Sequence, residues 1–202
     1  MRIRMLAVVA ATAAALLGTV VPAAAAAGPD SHSKTAQSEL AARPFAAQAA
    51  TANLTTAQTA SLQAKVDRYV TRTGGKQVAL NKIDLNGRGE LLVTVPGERH
   101  PRDFASGDGS RIAADPCLEG SVYSGWFCAY SGETYQGDAL RWYYCGKRSM
   151  PWGGYGSWIN DQTPGTRATF YNSSGGVHYV TPAPFSYSRS YYWTPVWHIR
   201  NC

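Results

Sequence analysis

Four cysteines, Cys117, Cys128, Cys145 and Cys202, are the residues whose type and spacing speak most directly of chemistry, because thiolates either join by oxidation or share a metal. Their intervals do not match the close Cys-x-x-Cys pairs of zinc sites, which leaves oxidation as the reading. Four cysteines allow three pairings, and sequence alone does not choose among them. The arrangement we expect joins Cys117 to Cys128, clipping a hairpin, and Cys145 to Cys202, tying the chain end back to the body. On the loop-entropy model the first closure contributes roughly 3 kcal/mol and the second roughly 4. Both are large against a total stability of about 5–15 kcal/mol.

Groups suited to catalysis are fewer. His178 and His198 lack the His-Glu-x-x-His spacing of a zinc peptidase. Ser157, between Gly156 and Trp158, lacks the Gly-x-Ser-x-Gly elbow of an α/β hydrolase. Glu133 and Asp138 read as solvated turn residues rather than as an acid and base. Neither enzymatic activity nor a cofactor is expected. For calcium, Asn160 and Asp161 supply two oxygen ligands, but Pro164 and Gly165 stand where hydroxyls would be needed, so the pair has too few partners for a tight site.

Where such chemistry would operate follows from the chain start. Arg2 and Arg4 precede an apolar run from Leu6 to Val21 and a small-residue stretch from Pro22 to Ala27, the pattern of an export signal over residues 1–27. The run is about 16 residues long, short of the ~20 that span a bilayer. No later segment is apolar enough to cross, so we expect a secreted chain with no membrane span, in a compartment where cysteines pair. The formal charge of +6 includes the signal arginines, and the basic residues do not form the run that tracks phosphates. Nucleic acid is therefore excluded as a partner.

Composition divides the remainder. Residues 28–52 are rich in Ala, Ser and Gln and read as a disordered spacer. In the accessory segment 53–97, Leu62, Val66, Tyr69 and Val70 recur at helical spacing, with Thr55 or Thr56 to cap the start and Gly74 with Gly75 to end it. A strand over residues 77–84, a turn at Asn86 and Gly87, and a second strand over 90–95 complete a helix plus hairpin. That unit is too small to be stable alone, so it either packs on the cysteine domain or serves a precursor. Residues 98–116 are polar and read as a linker that would tolerate a protease cut. Residues 117–202, dense in Trp and Tyr between Gly, Pro, Asn and Ser clusters, predict short strands in a sandwich or barrel.

The most specific element is Tyr130, Tyr135 and Gly137. This spacing describes a hairpin folded over its own sheet, with the two rings stacked and the glycine in a conformation closed to other residues. It resembles the Greek-key signature of βγ-crystallin domains. Together with Phe127, Cys128, Cys145 and the stretch Gly156, Ser157, Trp158, Ile159 and Asn160, it is similar to secreted actinobacterial proteins of peptidase inhibitor family I36, over residues 117–202. A second copy of the motif falls near residues 168–179, where Gly176 follows Tyr171 in place of an aromatic. The implied fold is mainly β, a βγ-crystallin-like Greek-key sandwich preceded by a small helix plus hairpin. The implied activity is inhibition of extracellular metallopeptidases of the thermolysin-like kind by a rigid, disulfide-braced loop on a monomer.

Lys147, Arg148, Ser149, Met150, Pro151 and Trp152 offer one candidate inhibitory loop, with two cations, a stiffening proline and an indole; a surface turn in which Trp152 packs inward is the alternative. The proline-rich loop 181–185 is a second stiff connection. A rival function is cell-wall polysaccharide binding, or a killer-toxin-like module. Its platform would be Trp142-Tyr143-Tyr144 and Tyr191-Tyr192-Trp193, of which strand alternation leaves at most half outside.

Overall fold

A computed structural model describes residues 44–105 and 109–202. The export signal of residues 1–27 and the spacer up to residue 43 lie outside the described residues. The end of that spacer is ordered as helix α1 (Ala46–Thr51), which buries Ala49 and accepts the Leu80 N–H on the Gln48 side-chain oxygen at 2.7 Å. Helix α2 (Thr56–Thr73) follows. Its start is a capping box in which Thr55 and Gln58 each satisfy the other's backbone N–H, and its end is Gly74 in the left-handed region at φ +68°. Leu62, Val66 and Tyr69 form its buried stripe, as the helical spacing predicts.

The expected single strand over residues 77–84 is instead two, β1 (Lys76–Ala79) and β2 (Lys82–Asp84), paired antiparallel with Ala79 opposite Lys82. The chain reverses at Leu80 and Asn81 because both are fastened from elsewhere. Leu80 is held by Gln48, while the Asn81 side-chain amide donates to the carbonyls of Val93 and Arg102 at 3.0 and 2.8 Å. At the next turn Asn86 and Gly87 both have positive φ, the backbone of an Asn-Gly hairpin, and β3 (Gly89–Leu92) returns along β2.

Eight further strands follow: β4 (Trp126–Tyr130), β5 (Ala139–Trp142), β6 (Lys147–Ser149), β7 (Tyr155–Asp161), β8 (Thr169–Tyr171), β9 (Val177–Val180), β10 (Ser186–Tyr192) and β11 (His198–Arg200). They build two antiparallel sheets, in the orders β1-β2-β3-β5-β4-β7-β10 and β6-β11-β8-β9. Each sheet thus takes the first, second and fourth strands of one four-strand unit and the third strand of the other. This is the mainly β Greek-key sandwich expected from the sequence, and its second unit forms on β8 to β11 although its motif lacks the second aromatic.

The divisions expected at residues 97 and 116 disappear. Leu91 of β3 lies opposite Leu140 of β5, so the accessory segment extends the Greek-key sheet by three strands. One hydrophobic cluster runs from Leu62, Val66 and Ile83 through Phe127, Leu140 and Trp142 to Phe170 and Trp193. The described part of the expected linker is also tied down, with Arg102 bridged to Ile112 and Asp115 buried. Among the described residues no helix is long and apolar enough to cross a membrane. Both expected disulfides are present, Cys117–Cys128 and Cys145–Cys202.

Asp138, expected as a solvated turn residue, is fully buried. Its carboxylate accepts from Lys65 Nζ at 2.8 Å, from the Tyr69 hydroxyl at 2.5 Å and from the Thr94 N–H at 2.9 Å. Helix, β3 extension and Greek key therefore meet on one side chain. Replacing Asp138 by Ala leaves the Thr94 N–H and the Tyr69 hydroxyl unpaired in the core and is expected to cost about 3–5 kcal/mol. Tyr69→Phe, which removes one donor, is expected to cost about 1–2 kcal/mol. Urea unfolding of the two variants checks the order; equal losses would show that Asp138 does not gather the three parts.

Candidate functional site

The Cys117–Cys128 disulfide closes a loop over residues 118–125 that leaves the sandwich just before β4. Local chemistry shapes its entry. The carbonyl of Asp115 accepts the N–H groups of Leu118 and Glu119 at 3.0 and 2.9 Å, forming a turn, and the Asp115 side chain accepts the Cys117 N–H at 2.9 Å. The same carboxylate, buried beneath the loop, also accepts the Tyr130 hydroxyl at 3.0 Å and Arg141 Nη2 at 3.1 Å. Arg141 is itself buried and donates through Nη1 to the Ala114 carbonyl at 2.7 Å. One stem of the loop is thereby bonded to an ion pair inside the outer layer of the sheet.

The other stem is held by Asp161, at the end of β7. Its carboxylate accepts the N–H groups of Tyr123 and Ser124 at 2.6 and 3.3 Å and the Ser124 hydroxyl, while its backbone carbonyl accepts the Gly125 N–H at 2.9 Å. Tyr123 is drawn into the left-handed region at φ +67°, and Gly125 follows at φ +90°. Between these anchors the crest is open to solvent. Leu118, Val122 and Tyr123 are 45%, 60% and 47% exposed. Three apolar side chains on a short, doubly anchored and disulfide-closed loop form a preorganised contact surface.

Asn160 and Asp161 are therefore fasteners. The Asn160 amide lies within 3.2 Å of the Thr166 carbonyl, the Thr181 hydroxyl and the Pro182 carbonyl, and its oxygen accepts from Gln162 Nε2 at 2.9 Å. The Asp161 oxygens are likewise engaged by the loop, through Tyr123 and Ser124. Asp115, Cys117 and Cys128 cluster closely enough to hold an ion, but both sulfurs are in the disulfide and the carboxylate is occupied.

The candidate loop 147–152 needs correction. Lys147, Arg148 and Ser149 form β6, opposite Arg200, Ile199 and His198 of β11, while Met150, Pro151 and Trp152 are buried. Met150 and Trp152 belong to the main core, and Trp152 meets Tyr69 edge to face at 6.1 Å, so the inward-packed alternative is the observed one. Lys147 rests over the Tyr171 ring at 4.1 Å. Pairing to β11 and burial of the indole together remove this segment as a projecting element. The connection 181–185 is also tied to the body, with Thr181 buried against Asn160.

The folded hairpin of the signature is present. Its rings are not stacked as expected: Tyr130 and Tyr135 meet edge to face at 5.6 Å, while Gly137 has φ +80° in a place where a Cβ would lie 2.4 Å from Ser131 Oγ. Ser157 locks the fold-over, donating its hydroxyl to the Gly132 carbonyl at 2.7 Å and accepting the Tyr135 N–H at 2.8 Å. In the two aromatic clusters Trp142 and Trp193 are buried, while Tyr143, Tyr144 and Tyr192 face solvent. Two of the first three are outside because β5 ends at Trp142 and strand alternation stops there.

The loop 118–125 was missed by reading residues one by one. The signal available was the enclosure of Leu118, Val122 and Tyr123 by a close cysteine pair. Nothing in the sequence marks Asp161 as its anchor. No family model matches this chain, and comparison with curated proteins and with solved structures finds no match.

Two outcomes follow from these contacts. Asp161→Ala frees three donors of the loop stem and is expected to lower stability by about 2–4 kcal/mol and to speed amide exchange at Tyr123 and Ser124; exchange no faster than in the parent would refute the anchoring. Burial and neighbouring carboxylates raise the phenol pKa values of Tyr69 and Tyr130 well above the ordinary 10.0, and burial, then Tyr179, pushes Tyr191 up to about 12. A raised folded-state pKa adds stability that is complete below the unfolded value and is lost as pH climbs through the folded one. These phenols should leave the unfolding midpoint unchanged as pH approaches about 10 and lower it above; a midpoint rising above about pH 10 would contradict the burial.

Proposed function

We propose that this chain is a secreted peptidase inhibitor that presents the loop 118–125 to the cleft of an extracellular peptidase. The observation that carries this reading is the combination of exposed Val122 and Tyr123 with a backbone fixed on both sides, by the Cys117–Cys128 bridge and by Asp161. A substrate loses conformational freedom when it enters a cleft, whereas a loop already held loses little, so more of its contact energy appears as affinity. Closure has a second effect. If the bound peptidase cuts between Cys117 and Cys128, the disulfide keeps both new ends attached, and neither product diffuses away.

Export is supported by the basic, apolar and small-residue pattern of residues 1–27, and two disulfides suit the oxidising space outside the cell. The resemblance to inhibitor family I36 points to metallopeptidases of the thermolysin-like kind. The crest has no Lys or Arg and offers Leu118, Val122 and Tyr123, which favours peptidases with apolar specificity pockets over those that select cations.

The purified protein should slow a thermolysin-like metallopeptidase at near-stoichiometric ratio. Val122→Asp, at a solvent-facing position, should weaken inhibition about tenfold or more while leaving the thermal midpoint in place. An unchanged peptidase rate at about tenfold molar excess of the parent protein would end the proposal.

A further inference from the structure

The crest of the 118–125 loop is too small to make a tight interface by itself. Its eight residues stand against the roughly 20–30 a side of a stable protein–protein contact, which buries about 800 Å² on each partner. Near-stoichiometric inhibition therefore needs further surface that a peptidase meets as the loop enters its cleft.

Such surface abuts the loop stem. Gly125 ends the loop without a side chain, and the Tyr143 ring lies against it, so that a Cβ at Gly125 would stand 2.8 Å from that ring. Tyr143 in turn meets Trp126 edge to face at 5.4 Å and Tyr144 edge to face at 5.3 Å. Three rings thus run on from the stem without a break. Tyr143 and Tyr144 are 49% and 59% exposed, and Trp126 is half-buried. Their place follows from the strands: β5 ends at Trp142, buried opposite Phe127, and the next two residues leave the sheet at the end from which the loop rises.

The rings are held as firmly as the loop. Trp126 packs against the small apolar cluster that contains Cys117 and Cys128. Cys145, directly after Tyr144, is bonded to Cys202 and ties the segment to the chain end. One disulfide closes the loop and the other fixes the segment that carries the rings. Rigid aromatic side chains give a large contact area at a small loss of torsional freedom, which is why they dominate the energy of protein interfaces. No charged residue separates the three rings, so the surface that matches them is apolar, with hydrogen-bond acceptors at its margin for the two phenol hydroxyls.

We infer that Trp126, Tyr143 and Tyr144 form a second contact surface, which docks on an apolar rim beside the cleft of the peptidase that receives the loop. This rests on the inhibitory reading of the loop, and continuity selects the occupant, because a protein seated on Tyr123 meets the ring against Gly125 at the same time. Peptidases with the same specificity pocket but different rims are then told apart by these rings.

The test compares inhibition constants against a thermolysin-like metallopeptidase for the parent protein, Tyr144→Ala, and Tyr143→Ala combined with Tyr144→Ala. The single variant leaves the Tyr143 ring on Gly125 in place. It is expected to weaken inhibition about threefold to tenfold, and the double variant about tenfold or more, through faster dissociation. In Tyr144→Ala the thermal midpoint and the amide exchange of Tyr123 and Ser124 should stay as in the parent, the mark of a direct contact rather than of loop positioning. If both variants inhibit as well as the parent while Val122→Asp still weakens inhibition, the second surface is overturned and the loop stands. A parent protein that does not slow the peptidase removes the loop reading and the second surface together. Faster exchange at Tyr123 and Ser124 in Tyr144→Ala would make the ring a positioning residue and overturn the contact. So would a parent dimer in solution that the double variant converts to a monomer, which would assign the rings to self-association.

Discussion

Asp138 lies one residue beyond the signature glycine and is wholly withdrawn from water, yet it carries a carboxylate. Such burial is unfavourable by several kcal/mol unless the lone pairs are met, and here they are met by Lys65 and Tyr69 of α2 and by Thr94 beyond β3. The requirement is reciprocal. Gly137 and the folded hairpin set the carboxylate in place, and the carboxylate then fixes where the helix docks. Leu62, Val66 and Tyr69 supply the hydrophobic attraction but little direction, whereas the charge accepts one arrangement of donors. The rest of the architecture follows from this joint, because the helix brings β1 to β3 to the edge of β5.

The same device recurs under the exposed loop. Asp115 and Asp161 are both buried and both accept backbone N–H groups from the segment that includes Cys117, Tyr123 and Ser124. The main core does not reach this loop, whose Cys117 joins only the small apolar cluster of Cys128, Tyr130 and Ile159. Carboxylates rooted in the sheet hold it instead, and the disulfide limits the states the loop can reach if one of them lets go. Stiffness at the crest is thus a property of polar contacts at the base.

How much of this could be read from residues alone depended on how local the cause was. The span of α2 was legible because Thr55, Gln58 and Gly74 act within a few positions of themselves. The fold-over was legible for the same reason, from Tyr130, Tyr135 and Gly137. The reversal at Asn81 was not, since it is imposed by Val93 and Arg102, and an amide at that position reads equally well as a strand residue. Lys147 to Trp152 looked like a presented loop because a proline and an indole suit one, but pairing with the distant β11 decides its place. Asn160 and Asp161 were legible as oxygen donors too few for a tight metal site, but not as fasteners, because metal ligands and backbone acceptors are the same atoms, distinguished only by what approaches them.

The extension of the Greek-key sheet by β1 to β3 bears on maturation. Both disulfides lie on the C-terminal side of residue 116, so no covalent bond other than the main chain joins the helix and its three strands to the remainder. A processing protease that severed residues 98–116 would release no leader. It would leave a nicked pair of fragments held by strand pairing, one hydrophobic cluster and the grip of Asp138, which would migrate together in native buffer and part in detergent even without reductant.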